Sequence, residues 1–219
     1  MTDSDRGASR AVALESQPEN ELFDTQSAIG RWGLFFGQWL KNPLAIGAIA
    51  PSSPGLARAV ASLADPNKDG YVLELGGGTG AVTAALLETG LDPKKLVVVE
   101  NNPALYRILR QRFPRVKALQ GDATKLEPLL KAADLWGPGR AQLVISGIPL
   151  LSMGAEVQAR VLGDSKSILA AGGGVAQFTY SWFVPLKRAV LQAAGLRPER
   201  TKVVWGNVPP ASVWRFTND

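Results

Sequence analysis

Three carboxylates and a glycine turn carry the first chemistry in this sequence. The stretch ELGGGTG, Glu74 to Gly80, follows the apolar run YVLEL and opens AVTAALLETG, a helical pattern. A glycine turn between a strand and a helix lets the backbone approach a nucleotide cofactor, and Gly76, Gly78 and Gly80 lie in this one. Glu100 closes the next apolar run, LVVVE, 24 residues after Gly76, where a carboxylate can accept both hydroxyls of a ribose. Asp122, in GDA after a third run, can accept from the exocyclic amine of a base. Either acid alone fits a helix cap as well. Three such features at successive strand ends point to a bound nucleoside, because open α/β sheets bind ligands at the carboxyl ends of their strands.

The composition removes several other chemistries. Among 219 residues there is neither Cys nor His, which excludes a disulfide framework, a thiol nucleophile, a Cys/His metal site and a Ser-His triad. No DxDxDG-like spacing offers a carboxylate metal site, so no metal is expected. Tyr71, Tyr106 and Tyr180 are followed four residues later by Leu75, Arg110 and Val184, so the Tyr-x-x-x-Lys pair of many nicotinamide enzymes is missing. The net charge of +5 is uneven: residues 1 to 24 hold two arginines against six acids, a net of −4, which leaves +9 on the remainder. A basic body suits an anionic partner, either nucleic acid or acidic lipid. The N-terminus shows no basic stretch leading into an apolar run, so no signal peptide is expected. The uncharged stretch between Lys166 and Lys187 contains three glycines, Gln177, Thr179, Ser181 and Pro185, which predicts a turn, a buried strand and a loop rather than a membrane span.

The elements that must position the acids alternate. Strands are predicted at 71–75, 96–100, 116–120, 141–146, 174–180, 200–206 and 212–216, and helices after Ser52-Ser53-Pro54 and at 81–90, 103–113, 124–133, 154–170 and 185–194. Repeated strand–helix units mean an α/β fold with a mostly parallel, doubly wound sheet. The last two strands are joined through NVPP, too short for a crossover helix, so they form an antiparallel hairpin. Ahead of this domain, 43–219, lie a polar, acidic tail, 1–20, expected to be flexible, and a helical segment, 21–42, ended by Asn42-Pro43. That segment places Ile29, Trp32, Phe35, Phe36, Trp39 and Leu40 on one broad face. Too short and too polar to span a bilayer, it suits the headgroup layer of an anionic membrane; the same stripe fits a helix packed on the enzyme's own core, or a dimer face.

VLELGGGTG, VVVEN and GDA together resemble the Rossmann-like class I S-adenosylmethionine (SAM) methyltransferases, from Tyr71 to the C-terminus. The resemblance implies that Gly76, Gly78, Gly80, Glu100, Asn101, Asp122 and Ala123 hold SAM, leaving S-adenosylhomocysteine as product. It also implies that Glu74 and Ser146 lie near the methionine end and that Ser52 and Ser53 close over the cofactor. Many amine methyltransferases carry Asn/Asp-Pro-Pro-aromatic after the fourth strand, where a carboxamide and a backbone carbonyl orient a planar amine and the aromatic stacks on a base. Here the stretch is SGIPLL, Ser146 to Leu151, which keeps neither the amide nor the aromatic. Tyr180, at the end of QFTY, is expected near the transferred methyl, where a phenol can stabilise a cationic amine, although a packed strand-end residue is the plainer reading.

GQWLKNPLAIGAIAPSSPGLARAVA, Gly37 to Ala61, with SGIPLL, QFTY and VWGNVPPASVWRF, resembles the bacterial phospholipid N-methyltransferases, a group similar to the ribosomal-RNA adenine dimethyltransferases. This implies methyl transfer from SAM to the amine of phosphatidylethanolamine and its mono- and dimethyl forms, towards phosphatidylcholine. Tyr180 and Ser146 are then the catalytic candidates. Ile148, Pro149, Tyr180, Arg188, Trp205 and Arg215 are the substrate candidates, the arginines for a phosphate. Phosphatidylethanolamine and anionic lipids are the expected partners, with no stable nucleic-acid partner, at the inner face of the cytoplasmic membrane. An RNA adenine N6-methyltransferase and a non-catalytic SAM- or membrane-binding protein are the alternatives, and oligomeric state is left open.

Overall fold

The computed structural model describes residues 53–207 and 210–218. The expected tail, the expected amphipathic segment with its six apolar residues, and Ser52 lie outside the described residues.

Helix α1 (Pro54–Ala61) begins where the sequence places it. The Ser53 hydroxyl accepts from the Leu56 N–H at 3.2 Å, and Pro54 occupies the first turn, where no N–H is needed. There follow β1 (Tyr71–Leu75), α2 (Ala81–Glu88), β2 (Leu96–Glu100), α3 (Pro103–Arg112), β3 (Lys117–Gln120), α4 (Leu126–Ala132) and β4 (Ala141–Ser146). The chain continues with α5 (Ala155–Ile168), β5 (Leu169–Thr179), α6 (Arg188–Ala194), β6 (Leu196–Val204) and β7 (Ala211–Asn218). The seven strands form one sheet in the order β3-β2-β1-β4-β5-β7-β6. The first five are parallel, and β7 runs antiparallel to both β5 and β6.

Strands β1, β2 and β4 are buried at every position. Their continuous apolar runs require this, since helices cover both faces of the sheet. On one face Leu73, Leu75, Val144 and Phe216 pack with Leu130, Val161, Leu162 and Val190 of α4, α5 and α6. On the other, Val72, Val98, Leu143 and Phe178 pack with Leu56, Leu86 and Leu109 of α1, α2 and α3. The strand order reverses between β1 and β4, so the crevice expected of such sheets opens at the carboxyl ends of these two strands.

The fifth strand differs from its prediction. It starts at Leu169 rather than Gly174, so Gly172 and Gly173 belong to it rather than to a turn. Ala141 pairs with Leu169 but Leu143 pairs with Gly174, so β5 bulges here. Glycine is needed in the bulge: Gly172 has φ +67°, and a Cβ on Gly173 would lie 2.9 Å from the Ala170 carbonyl oxygen. Helix α6 starts at Arg188, three residues later than predicted, and β6 at Leu196, four residues earlier.

Candidate active site at the carboxyl edge of the sheet

Glycine makes the turn after β1 possible. Gly76, Gly78 and Gly80 have φ of +79°, +56° and +85°, which side chains rarely adopt. Gly77 is needed for a different reason, because a Cβ there would meet Val98 Cγ1 at 2.3 Å. The turn is fastened to its neighbours: Gly76 N–H donates to the Val99 carbonyl at 2.8 Å, and Gly147 N–H, from the loop after β4, donates to the Leu75 carbonyl at 2.8 Å. The Arg112 guanidinium of α3 donates to the Thr79 carbonyl.

The three acids occupy successive strand ends and each has a defined job. Glu100 is buried, yet its carboxylate accepts from two backbone N–H groups, Gly78 at 2.8 Å and Asn102 at 2.7 Å. It therefore joins the glycine turn to the end of β2. Asp122 Oδ1 accepts from Thr124 N–H at 2.8 Å and caps a short 3₁₀ turn that includes the buried Ala123. Glu74 leaves the sheet towards α2, where Oε2 accepts from the Thr83 hydroxyl at 2.6 Å. Burial, against the Thr83 bond and with a smaller push from the neighbouring Glu100 charge, raises its carboxyl to about 8. Asn101 is exposed, and it is Asn102 that caps α3.

The acceptor side is assembled from β4, β5 and β7. Ile148 is buried against the glycine turn, 3.0 Å from where a Gly76 Cβ would stand, with the half-buried Pro149 next to it. Ser146 is fully buried at the last position of β4. Its register partner on β5 is Gln177, and the partner of Gln177 on β7 is Trp214. Neighbours in register project from the same face, so Ser146, Gln177 and Trp214 form one row across three strands. Gln177 Nε2 donates to the carbonyls of Ile148 and Phe178, each at 3.1 Å. Ser146 Oγ, Gln177 Oε1 and Trp214 Nε1 are buried without a hydrogen-bond partner in the protein. Gln177 and Trp214 were not among the sequence-predicted residues. QFTY and VWGNVPPASVWRF contain them, but nothing local marks them as site residues, and only the strand pairing brings them to Ser146.

The remaining expected residues have their own surroundings. Tyr180 packs on the opposite cluster, edge-on to Phe178 with ring centres 6.3 Å apart, and burial raises its phenol to about 12. Arg215 is directed away from the site: its guanidinium donates to the Gly172 carbonyl at 3.2 Å, in the amino-terminal part of β5. Ser53 uses its hydroxyl as the α1 cap, and its N–H donates to Asn207 Oδ1 at 3.3 Å, beside the β6–β7 turn. Arg188 is exposed at the start of α6. Trp205 is exposed and lies against Trp182, with ring centres 5.3 Å apart.

The profile of a family described as ribosomal RNA adenine dimethylase matches residues 52–170. An ornithine lipid N-methyltransferase of Singulisphaera acidiphila is 32% identical over 149 residues, covering 67% of this chain and 76% of that protein. A ribosomal RNA small subunit methyltransferase A of a Synechococcus species is 37% identical over 135 residues, covering 59% of this chain and 41% of that protein, so the chain matches less than half of that relative's length. Among solved structures, the 1,6-didemethyltoxoflavin-N1-methyltransferase of Burkholderia thailandensis, with S-adenosylhomocysteine bound, aligns with a TM-score of 0.58 at 17% identity, covering 89% of this chain and 90% of that one. The chain belongs to the ribosomal RNA adenine dimethylase family and is a SAM-dependent methyltransferase with the class I fold. Its own residues fit that cofactor: a glycine-rich cradle, with four glycines from Gly76 to Gly80, follows β1 at the switch point of the sheet, and a buried acid closes the neighbouring β2.

Proposed function

We propose that the chain is a phospholipid N-methyltransferase, acting from the membrane surface on the amine of phosphatidylethanolamine and its mono- and dimethyl forms. The observation that carries this reading is the rim of the carboxyl edge. Trp182 and Phe183, after β5, are 52% and 69% exposed; Trp205, after β6, is 69% exposed; Leu151, after β4, is 40% exposed. Large apolar side chains gathered at a site's mouth suit a substrate drawn from a lipid layer, where Trp and Phe bury their rings at the headgroup level. Exposed Lys187, Arg188 and Lys202 lie close to them in sequence and complement anionic lipid. Ser53, the first described residue, donates its N–H to Asn207, two positions past Trp205. Among the described residues no helix is long and apolar enough to cross a membrane. The ornithine lipid N-methyltransferase also acts on a lipid, by its name.

In this reading Glu100 and the glycine turn hold the cofactor's ribose, Asp122 and Ala123 meet its base, and Glu74 lies near its methionine end. Bound SAM supplies a methyl carbon activated by its sulfonium. The chain's own part is to exclude water and hold a neutral amine in line with that carbon, which needs no protein nucleophile. Arg188 is the candidate for the lipid phosphate.

The deciding experiment incubates purified protein with methyl-labelled SAM and vesicles of phosphatidylethanolamine or ornithine lipid, each mixed with anionic lipid. Label in methylated phosphatidylethanolamine supports the proposal, and label only in ornithine lipid moves the acceptor to that lipid. A second reading, methylation of adenine in ribosomal RNA, is favoured by the family profile and by the Synechococcus relative. Against it stands the aliphatic acceptor loop, which offers a base no stacking platform. Label in ribosomal RNA and none in lipid would establish it.

A further inference from the structure

Four buried side-chain polar atoms among the described residues lack a partner in the protein, and three of them lie in the single row Ser146, Gln177, Trp214. Leaving such atoms unpaired costs about 1–3 kcal/mol each, so this concentration calls for an explanation. The row lies level with Leu75, the last residue before the glycine turn, because Leu75 is in register with Ser146. It therefore stands at the switch point, under the acceptor loop. The orientation of the Gln177 amide is fixed by its neighbours. Its two partners, the Ile148 and Phe178 carbonyls, can only accept, so the nitrogen must face them and Oε1 must be the unpaired atom.

We propose that Gln177 Oε1 and Ser146 Oγ together hold the acceptor amine, so that the carboxamide missing from the end of β4 is supplied from the neighbouring strand. The inference rests on the lipid reading above. A neutral primary amine has two N–H donors and one lone pair. With one N–H on Gln177 Oε1 and the other on Ser146 Oγ, the lone pair is left to point at the methyl carbon. The amine nitrogen forms the N–C bond as the C–S bond breaks, its electron pair remaining on sulfur. The ammonium so formed loses a proton to water before a further round. Trp214 Nε1, which can only donate, ends the row and suits an oxygen of the same head group. Gln177 Nε2 also fixes the Ile148 carbonyl, so the residue that grips the amine sets the loop above it.

The contact predicts a dependence that a structural role does not. The neutral amine of phosphatidylethanolamine has two N–H groups, the monomethyl form one and the dimethyl form none. The test compares wild type, Gln177→Leu and Ser146→Ala on short-chain soluble versions of the three lipids. kcat/KM is measured for each, with calorimetric affinities for the same lipids in the presence of S-adenosylhomocysteine. Gln177→Leu should lose about tenfold or more on the primary amine, less on the monomethyl lipid, and under about twofold on the dimethyl lipid. Ser146→Ala, which leaves the Ile148 carbonyl bond untouched, should show the same order, and the affinities should follow it. Equal losses on all three lipids in both variants, or no loss on any, overturn the inference while leaving the lipid reading intact. Wild-type protein that methylates none of the three overturns the lipid reading, and the inference with it.

Discussion

The two halves of the site differ in how their polar groups are satisfied. On the β1–β2–β3 side, the carboxylates are already partnered within the chain: Glu74 by Thr83, Glu100 by Gly78 and Asn102, Asp122 by Thr124. On the β4–β5–β7 side, three buried polar atoms have no partner in the protein. The first half is a cradle set before anything binds. The second carries hydrogen-bonding capacity that a ligand can use. In the proposed function the difference matches the two tasks, since a cofactor common to every turnover can be met by fixed backbone, whereas an amine whose N–H count changes with each methylation must meet groups not already engaged.

The largest expected contrast is in pH dependence. In the folded chain the Glu74 carboxyl keeps its proton up to about 8, against an ordinary value of 4.5 when unfolded. Between those values folding takes up a proton. The contribution is full below about 4.5 and is lost as pH rises to about 8, at up to about 1.4 kcal/mol per unit. Glu74→Gln should flatten this slope in denaturant unfolding series from pH 5 to 8. The acceptor row holds no ionisable group, so Gln177→Leu should leave the slope in place. If both variants keep it, Glu74 is not its source.

Next in size is Glu100→Ala, which removes the acceptor for two buried N–H groups and the proposed ribose contact. SAM affinity by calorimetry should fall about 100-fold. An unchanged affinity would remove Glu100 from the cofactor site. Trp182→Ala with Trp205→Ala should weaken binding to anionic vesicles about tenfold, in co-sedimentation, while leaving activity on soluble short-chain lipid within about twofold. Unaltered vesicle binding would leave the rim without a role.

The finest test deletes one hydroxyl on each side. Thr83→Val breaks a satisfied bond to a buried carboxyl and should cost about 1–2 kcal/mol of stability. Ser146→Ala removes a buried hydroxyl with no partner and should leave stability unchanged or raise it, by up to about 1–3 kcal/mol. Equal costs in denaturant unfolding would erase the contrast between the halves.

Much of the cofactor half was legible because its signals are local. ELGGGTG, the acid closing LVVVE and the Asp in GDA each sit within a few residues of the strand that positions them, and the hydrophobic alternation fixes those strands. The end of β5 was legible in part. Tyr180 was visible as a strand-end residue, but only packing shows its ring against Phe178 on the opposite side from Ser146. Arg215 looked like a basic group near a pocket, and strand direction sends it to the Gly172 carbonyl instead.

The sequence by itself determined the strand–helix alternation, the glycine turn and the order of acids, because each follows from residue type and short spacing. Tertiary structure alone decided the acceptor row. Ser146, Gln177 and Trp214 are 31 and 37 residues apart along the chain, and they meet only because β5 pairs with β4 on one side and with β7 on the other. The glycine-built bulge near the start of β5 is part of the register that sets Gln177 opposite Ser146. A shift of one residue there would turn Gln177 to the opposite face, since side chains alternate along a strand.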